Sequence, residues 1–292
     1  MILIGENLNI TSKKVTEALK NKDRKLIREI AEAQANSGMD MLDINIGPTP
    51  KTGPEIIDWV IRSVREVTNL PLSLDTTNIK AIEAGLQIHE GKALINSISA
   101  RPERMDALLP LAKKYNASFV GLTLGVEGLP RDANERGLLA AQIIAEAAQY
   151  SIPEEDIWLD PITPPIKMQQ LQIQGCTEFV MMLREAFPNC KSIYGGSNIS
   201  NGIPGPLRGI LNRTYLIMLK RYGMYSAIVD AFDSELKAIA KGQRPELEKL
   251  VYKVMDGEAL DTSILSEEEI RYVKTTRVLL GQSLYSDSWL EL

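Results

Sequence analysis

Histidine occurs once in this 292-residue chain, at His89, and cysteine only twice, at Cys176 and Cys190. A structural zinc site takes about four Cys or His ligands, more than this stock supplies. A Ser-His-Asp triad would have to recruit His89, which stands in the polar helix-to-strand connection GLQIHEGK and is expected to be a solvated surface histidine. Two cysteines without a secretion signal read as free thiols in a reducing compartment, so the expected location is the cytoplasm. Charge is not concentrated in one sign: 33 Lys and Arg against 38 Asp and Glu leave a net −5. Mild acidity with scattered basic residues argues against a nucleic-acid partner. No apolar run approaches the ~18 residues of a membrane span. The opening MILIGENLNI has no basic n-region and meets Glu6 at once, so a signal peptide is not expected. Chemistry in such a chain is left to carboxylates, amides and hydroxyls, or to something bound.

What the chain does have is alternation. Short runs rich in Ile, Leu and Val fall at 2–6, 41–45, 72–75, 93–97, 119–123, 157–160, 192–196 and 227–231. Their near-continuous apolar character is that of parallel strands buried on both faces. Amphipathic stretches lie between them, among them PEIIDWVIRSVREV, with Pro54 in its first turn, ERMDALLPLAKKY and ERGLLAAQIIAEAAQY. Eight β-α units in a chain of this size predict a closed (β/α)₈ barrel, a TIM barrel, over residues 1–242. A doubly wound open sheet is the alternative, but its G-x-G-x-x-G after the first strand is absent. Residues 243–292 add two helical patterns, PELEKLVYKVMDG and SEEEIRYVKTTRVLLGQ, the second opened by a Ser266–Glu269 capping box. They predict a helical extension packed on the barrel.

Polar side chains at the carboxyl ends of barrel strands face the active site. Here these are Glu6, Asn7 and Asn9, then Asp43 and Asn45, then Asp75, Thr77 and Asn78. Asn96 and Ser97, Thr123, Asp160, Ser197 and Asn198, and Asp230 complete the ring. One such Asp can be only a helix N-cap, and Asp43, Thr77 or Asp230 could each be that. Several converging amides and acids need a ligand, because each would otherwise be buried unpaired. Ionised Asp accepts while Asn both donates and accepts, a set that suits a flat heterocycle with a donor-rich edge. Magnesium on Asp43, Asp75 and Asp160 is a rival, though no Lys or His stands at a strand end for metal-assisted proton abstraction. A phosphate ester at GGSN, 195–198, is another. The Gly- and Pro-bearing segment 197–209 is expected to be a long irregular loop over the barrel mouth.

The motifs GENLN, LDINIG, LDTTNIKAIEAGL, INS, LDP, GGSNIS and LNRTYL, in that order, together with LLGQSLYSDSW near the end, carry a resemblance. The chain resembles the pterin-binding barrel methyltransferases, in particular the methyltetrahydrofolate:corrinoid protein methyltransferases. The resemblance spans residues 1 to about 240, and the stretch near 243–275 departs from the shorter members. It implies that Asp75, Asn96 and Asp160 hydrogen-bond the pterin ring and that Asn198 lies near N5, the methyl-bearing nitrogen. It places Asp43, Asn45, Gly196, Ser197 and Arg208 near the pterin or its tail, and no resident metal. It further implies tetrahydrofolate as substrate, a corrinoid protein docking at the carboxyl face, a homodimer, and the cytoplasm of an anaerobe. The methyl group would move in either direction, in acetyl-CoA synthesis or in demethylation of a growth substrate.

Such a transfer is an in-line displacement by Co(I), already a strong nucleophile. The difficulty is the departing amine, whose nitrogen needs a proton or a strengthening hydrogen bond. Asn198 can donate to N5 but is no source of the proton, which would come from solvent or through Asp75 or Asp160. The three are the candidate catalytic residues. Two other readings stay open. A dihydropteroate synthase would use a Lys and a Ser-x-Arg at late strand ends, where this chain has GGSNIS and Asp230-Ala231. A non-catalytic folate-binding protein would use the same Asp and Asn residues.

Overall fold

The apolar runs become eight strands whose order follows the sequence. In a computed structural model, which describes residues 1–291, they are β1 (Ile2–Asn9), β2 (Met41–Asn45), β3 (Leu72–Asp75) and β4 (Leu94–Ser99). Then come β5 (Ser118–Leu122), β6 (Ile157–Asp160), β7 (Lys191–Gly195) and β8 (Ser226–Val229). All pair in parallel, and β1 closes on β8 through Ile2 opposite Ser226 to Gly5 opposite Val229. The closed barrel is the expected one.

Two helices, α1 (Lys13–Asn21) and α2 (Arg24–Asn36), follow β1. Single crossovers then follow in turn: α3 (Gly53–Arg65), α4 (Ile79–Ile88), α5 (Pro102–Lys114), α6 (Ala133–Gln149), α7 (Ile166–Ala186), α8 (Gly205–Arg221) and α9 (Ser234–Ala240). Pro54 stands in the first turn of α3, as its missing N–H allows. Asn78 caps α4 by accepting from Ala81 N at 3.2 Å, and also donates to Thr49 O at 2.9 Å, tying two mouth loops together. Beyond the barrel, α10 (Pro245–Met255) and α11 (Glu267–Leu279) pack against each other and on α8. Ser266 and Glu269 form the expected capping box on α11. The indole of Trp289 is buried and donates to Thr275 Oγ1 at 3.0 Å, while Lys220 on α8 pairs with Glu248 at 2.6 Å.

Strand periodicity divides the barrel interior into layers, because alternate side chains point inward. Ile4, Met41, Leu94, Val120, Trp158 and Ile193 form an apolar plug. Two residues further along the same strands stand Glu6, Asp43, Asn96 and Asp160, and Asp230 likewise follows Ile228. On these five strands the inward face therefore turns from apolar to polar in a single step toward the carboxyl end.

Two expectations need correction. The segment 197–209 is not loop throughout, since α8 begins at Gly205. Pro206 fits its first turn, where a helix needs no N–H, so only the part before Gly205 is irregular. His89 is not a solvated surface residue. It is partly buried, its Nε2 accepts Leu72 N–H at 3.2 Å and lies 3.1 Å from Arg65 Nη2. The first residue of β3 has no earlier strand partner for that N–H, and the imidazole supplies one. Burial and the Arg65 cation hold its pKa low, so it is a neutral acceptor.

Candidate functional site

Register assembles one wall of the barrel mouth. Asn45, Asp75 and Asn96 stand abreast on β2, β3 and β4, and Asp43 and Ser73 are paired in the row beneath. Ser73 Oγ donates to Asp43 Oδ1 at 2.5 Å and Asn96 Nδ2 donates to the same oxygen at 3.1 Å. Asn45 donates to Asp75 through Nδ2 and accepts Gly47 N–H at 3.1 Å. Among the described residues, no cation enters the balance of charge at Asp43 or Asp75. Burial pushes the pKa of Asp43 up against the pull of its two donors. Asp75 is raised further, by burial first and by the Asp43 charge second. Two buried carboxyls that repel each other do not ionise together easily, so their ionisation is displaced toward higher pH. Asp43 is 2% exposed and caps no helix, which settles the alternative left open for it. The cap of α9 is Asp233, not Asp230, and Asp230 accepts Asn7 Nδ2–H at 2.8 Å.

Asp160 forms a separate station at the end of β6. Its carboxylate is 7% exposed and accepts Ile162 N–H at 2.7 Å. Burial raises its pKa to about 7, against the pull of that hydrogen bond and of the Arg136 guanidinium.

The third station is the turn after β7. Asn198 is exposed, with its amide folded back on the chain: a Cβ at Gly195 would lie 2.7 Å from Asn198 Nδ2. A Cβ at Gly196 would lie 3.0 Å from the Ile228 carbonyl. The paired glycines thus make room, one for the amide and one for β8. Ser197 Oγ donates to Glu6, whose pKa burial raises to about 7, Asp230 and Asp43 adding to the rise. Arg208, in the first turn of α8, donates to Ser200 Oγ at 3.1 Å and its charge opposes the rise at Glu6.

A cavity of about 760 Å³ opens over this third station, lined by Glu6, Ser197, Asn198, Arg208, Asn212 and Asp230 among others. Of the expected site residues, Gly196, Ser197, Asn198 and Arg208 line it. Asp43, Asn45, Asp75, Asn96 and Asp160 do not, although they share the barrel's inward upper layer. Asn198 also borders a smaller cavity of about 320 Å³ with Ile162 and Thr163, on the Asp160 side. Among the described residues, no three His, Cys, Asp or Glu side chains are grouped to hold a metal ion, so Asp43, Asp75 and Asp160 form no magnesium cluster. Among the described residues, no helix is long and apolar enough to cross a membrane.

A family model described as "Pterin binding enzyme" matches residues 5–230, most of the chain, from within β1 to just past β8. The chain belongs to the pterin-binding enzyme family. It is 28% identical to the methylcorrinoid:tetrahydrofolate methyltransferase of Eubacterium limosum over 232 residues, covering 79% of this chain and 85% of that protein. It is also 28% identical to the methionine synthase of Mycobacterium tuberculosis, covering 79% of this chain but only 20% of that longer protein. Among solved structures, a dihydropteroate synthase from Xanthomonas albilineans superposes with TM-score 0.63 at 19% identity, covering 84% of this chain and 93% of that one. The Yersinia pestis dihydropteroate synthase gives TM-score 0.61 at 16% identity over 84% of this chain and 93% of its own. At such identities these likenesses speak for the fold alone.

Sequence reasoning missed two members of the site. Ser73 lies mid-run in LSLD and reads as a strand residue, and only the register shows it opposite Asp43. Arg136 sits on a helix 24 residues before Asp160, and nothing in the pattern signals that it turns inward.

Proposed function

We propose that this chain is a methyltransferase that moves a methyl group between N5 of methyltetrahydrofolate and the cobalt of a corrinoid protein. The observation that carries the reading is the polar upper layer of the barrel: a wall of Asp43, Asn45, Asp75 and Asn96, with Asp160 across the mouth and Asn198 at the rim. A reduced pterin offers several N–H donors on one edge, and carboxylates and amide oxygens are their complement. Asp75, Asn96 and Asp160 would take the ring's polar edge, with Asp43 and Asn45 fixing the first two from behind. Gly196, Ser197 and Arg208 would border the ring or its tail.

In the forward direction the Co(I) electron pair forms the bond to the methyl carbon as the C–N5 bond breaks. The bonding pair stays on nitrogen, which takes a proton. Asn198 would donate a hydrogen bond to N5 that strengthens as that pair localises. Asp75 and Asp160, both raised toward neutrality, are groups able to hold the proton near working pH. Alignment of the two reactants supplies the rest of the acceleration. Microscopic reversibility lets the same site run backward, and the E. limosum relative is named for methylcorrinoid as donor. The reading places a corrinoid-carrying partner over the carboxyl face and includes a homodimer, which sedimentation velocity tests by its mass. The end of β7 has Gly195, Gly196, Ser197 and Asn198 and no Lys for a dihydropteroate synthase.

Calorimetric titration with methyltetrahydrofolate, followed by single-turnover transfer to free cob(I)alamin under anoxic conditions, tests the assignment. Binding with transfer is the expected result. Binding without transfer leaves only a folate-binding protein, and no binding ends the folate reading altogether.

A further inference from the structure

Arg136 is the bulkiest of the fully buried side chains, 1% exposed on α6, and its hydrogen bonds go not to a carboxylate but to carbonyl oxygens. Its Nε donates to Pro161 O at 2.9 Å, Nη1 to Asp132 O at 3.0 Å, and Nη2 to Gln172 Oε1 at 3.2 Å. Gln172 in turn donates to Arg131 O at 2.8 Å. The middle of α7 leaves space for the guanidinium, since a Cβ at Gly175 would lie 3.1 Å from Nη1. A cation removed from water without a paired anion is costly, and is kept where it holds something in place.

What it holds is the turn after β6. Pro161 lies between Asp160 and Ile162, and Ile162 N–H donates to Asp160 Oδ1 at 2.7 Å. Ile162 has φ of +58°, a left-handed conformation that a β-branched residue avoids. Such a residue persists only where its surroundings over-determine the backbone. The Arg136 Nε–H bond to the preceding carbonyl does so, as does the Cys176 thiol, 3.8 Å from Pro161 O and 3.6 Å from Ile162 O.

We infer that Arg136 is a positioning residue for the proposed methyl transfer: by clamping the Asp160–Ile162 turn it aims the Asp160 carboxylate at the pterin, an inference that rests on the folate reading. The same cation favours the charged form of Asp160 against the effect of burial. Few other titratable groups stand around this carboxylate. From α7 there is Cys176, whose thiol burial pushes up to about 11 and which stays neutral. From α8 there is Tyr215, 3.4 Å from Thr163 Oγ1 and with its pKa raised well above normal by burial. On β5 the ladder partner of Asp160 is Leu122.

The test uses Arg136→Met, Arg136→Lys and Gln172→Leu in the full-length protein, with the Asp160 carboxyl followed by ¹³C NMR titration and methyl transfer to free cob(I)alamin followed against pH. In Arg136→Met the Asp160 midpoint moves to higher pH, as expected when a cation that favours its charged form is lost. Transfer at pH 7 falls about tenfold or more, as misaligned groups do. Arg136→Lys keeps the midpoint but has no planar fork, so its rate stays low. That split between charge and rate is one a merely structural residue would not give. Unchanged midpoint and unchanged rate in Arg136→Met overturn the inference. If that variant does not fold, the other two decide it: transfer at the wild-type rate in both Arg136→Lys and Gln172→Leu overturns it equally. A wild-type protein that transfers no methyl group defeats the folate reading instead, and the inferred role with it. The NMR midpoint still reports whether the Arg136 charge acts on Asp160.

Discussion

The two layers of the barrel interior are one step apart on the same strands, yet they do opposite things. Ile4, Met41, Leu94, Val120, Trp158 and Ile193 are packed apolar side chains whose burial stabilises the fold. Glu6, Asp43, Asp75 and Asp160 all have their ionisation disfavoured by the same enclosure. The lower layer holds the scaffold together, while the upper one gives up stability at neutral pH to keep acids available to a ligand. A polar ring at a barrel mouth thus shows itself by its energetic cost as well as by its residue types.

Substitutions separate the layers. The largest effect on folding belongs to the plug: Ile193→Ala is expected to destabilise by about 3 kcal/mol, with the cavity it leaves adding to lost burial. Urea unfolding measures this, and folate affinity of the folded protein should be unaltered. An equal loss from Asp75→Ala would erase the distinction. Asp75→Ala is expected instead to weaken methyltetrahydrofolate binding on the order of 100-fold, because a buried pterin N–H would lose its acceptor. Calorimetry measures it, with unfolding midpoints kept within a few degrees of wild type.

Asn198→Ala should divide binding from chemistry. Single-turnover transfer slows about tenfold while the folate dissociation constant moves less than about threefold, because the hydrogen bond to N5 gains strength only as the C–N bond breaks. Equal losses in both quantities would make Asn198 a binding residue only.

The subtlest comparison is in pH. Asp160 has a folded pKa of about 7, above the ordinary carboxylate value of 3.8 in the unfolded chain. Between those values the native state binds the extra proton, so this stabilising contribution is complete below about pH 4 and is lost as pH rises through 7. Asp160→Asn, whose amide oxygen can still accept from Ile162 N–H, is therefore expected to melt at the same temperature as wild type at low pH. At pH 8 it should melt a few degrees higher, while binding folate less well. Calorimetric scans at about pH 4 and pH 8 measure the difference, and identical shifts at both would remove the strain ascribed to this carboxylate.

How much of this was legible beforehand follows from the physics of each element. The eight strands were readable within a few residues because strands covered on both faces must be apolar throughout, and Ile157–Asp160 or Met41–Asn45 leave little choice. The polar ring was readable because barrel strands end at the mouth, so Asp43 and Asp160 announce themselves by following apolar runs. The start of α8 was not, since Pro204, Gly205 and Pro206 look like a loop although the first helical turn tolerates them. Nor was the place of His89, which depends on a backbone N–H of Leu72 that only the assembled barrel leaves open. The Arg136 clamp joins α6 to the end of β6 across space, and helical periodicity cannot separate an inward Arg from an outward one.

A crystal structure of the protein with methyltetrahydrofolate addresses the central claim most directly. The pterin edge is expected on Asp75, Asn96 and Asp160, with N5 facing Asn198 and the methyl group open to the barrel mouth. A folate bound away from that layer, or Asp43, Asp75 and Asp160 wrapped around a magnesium ion, would contradict it.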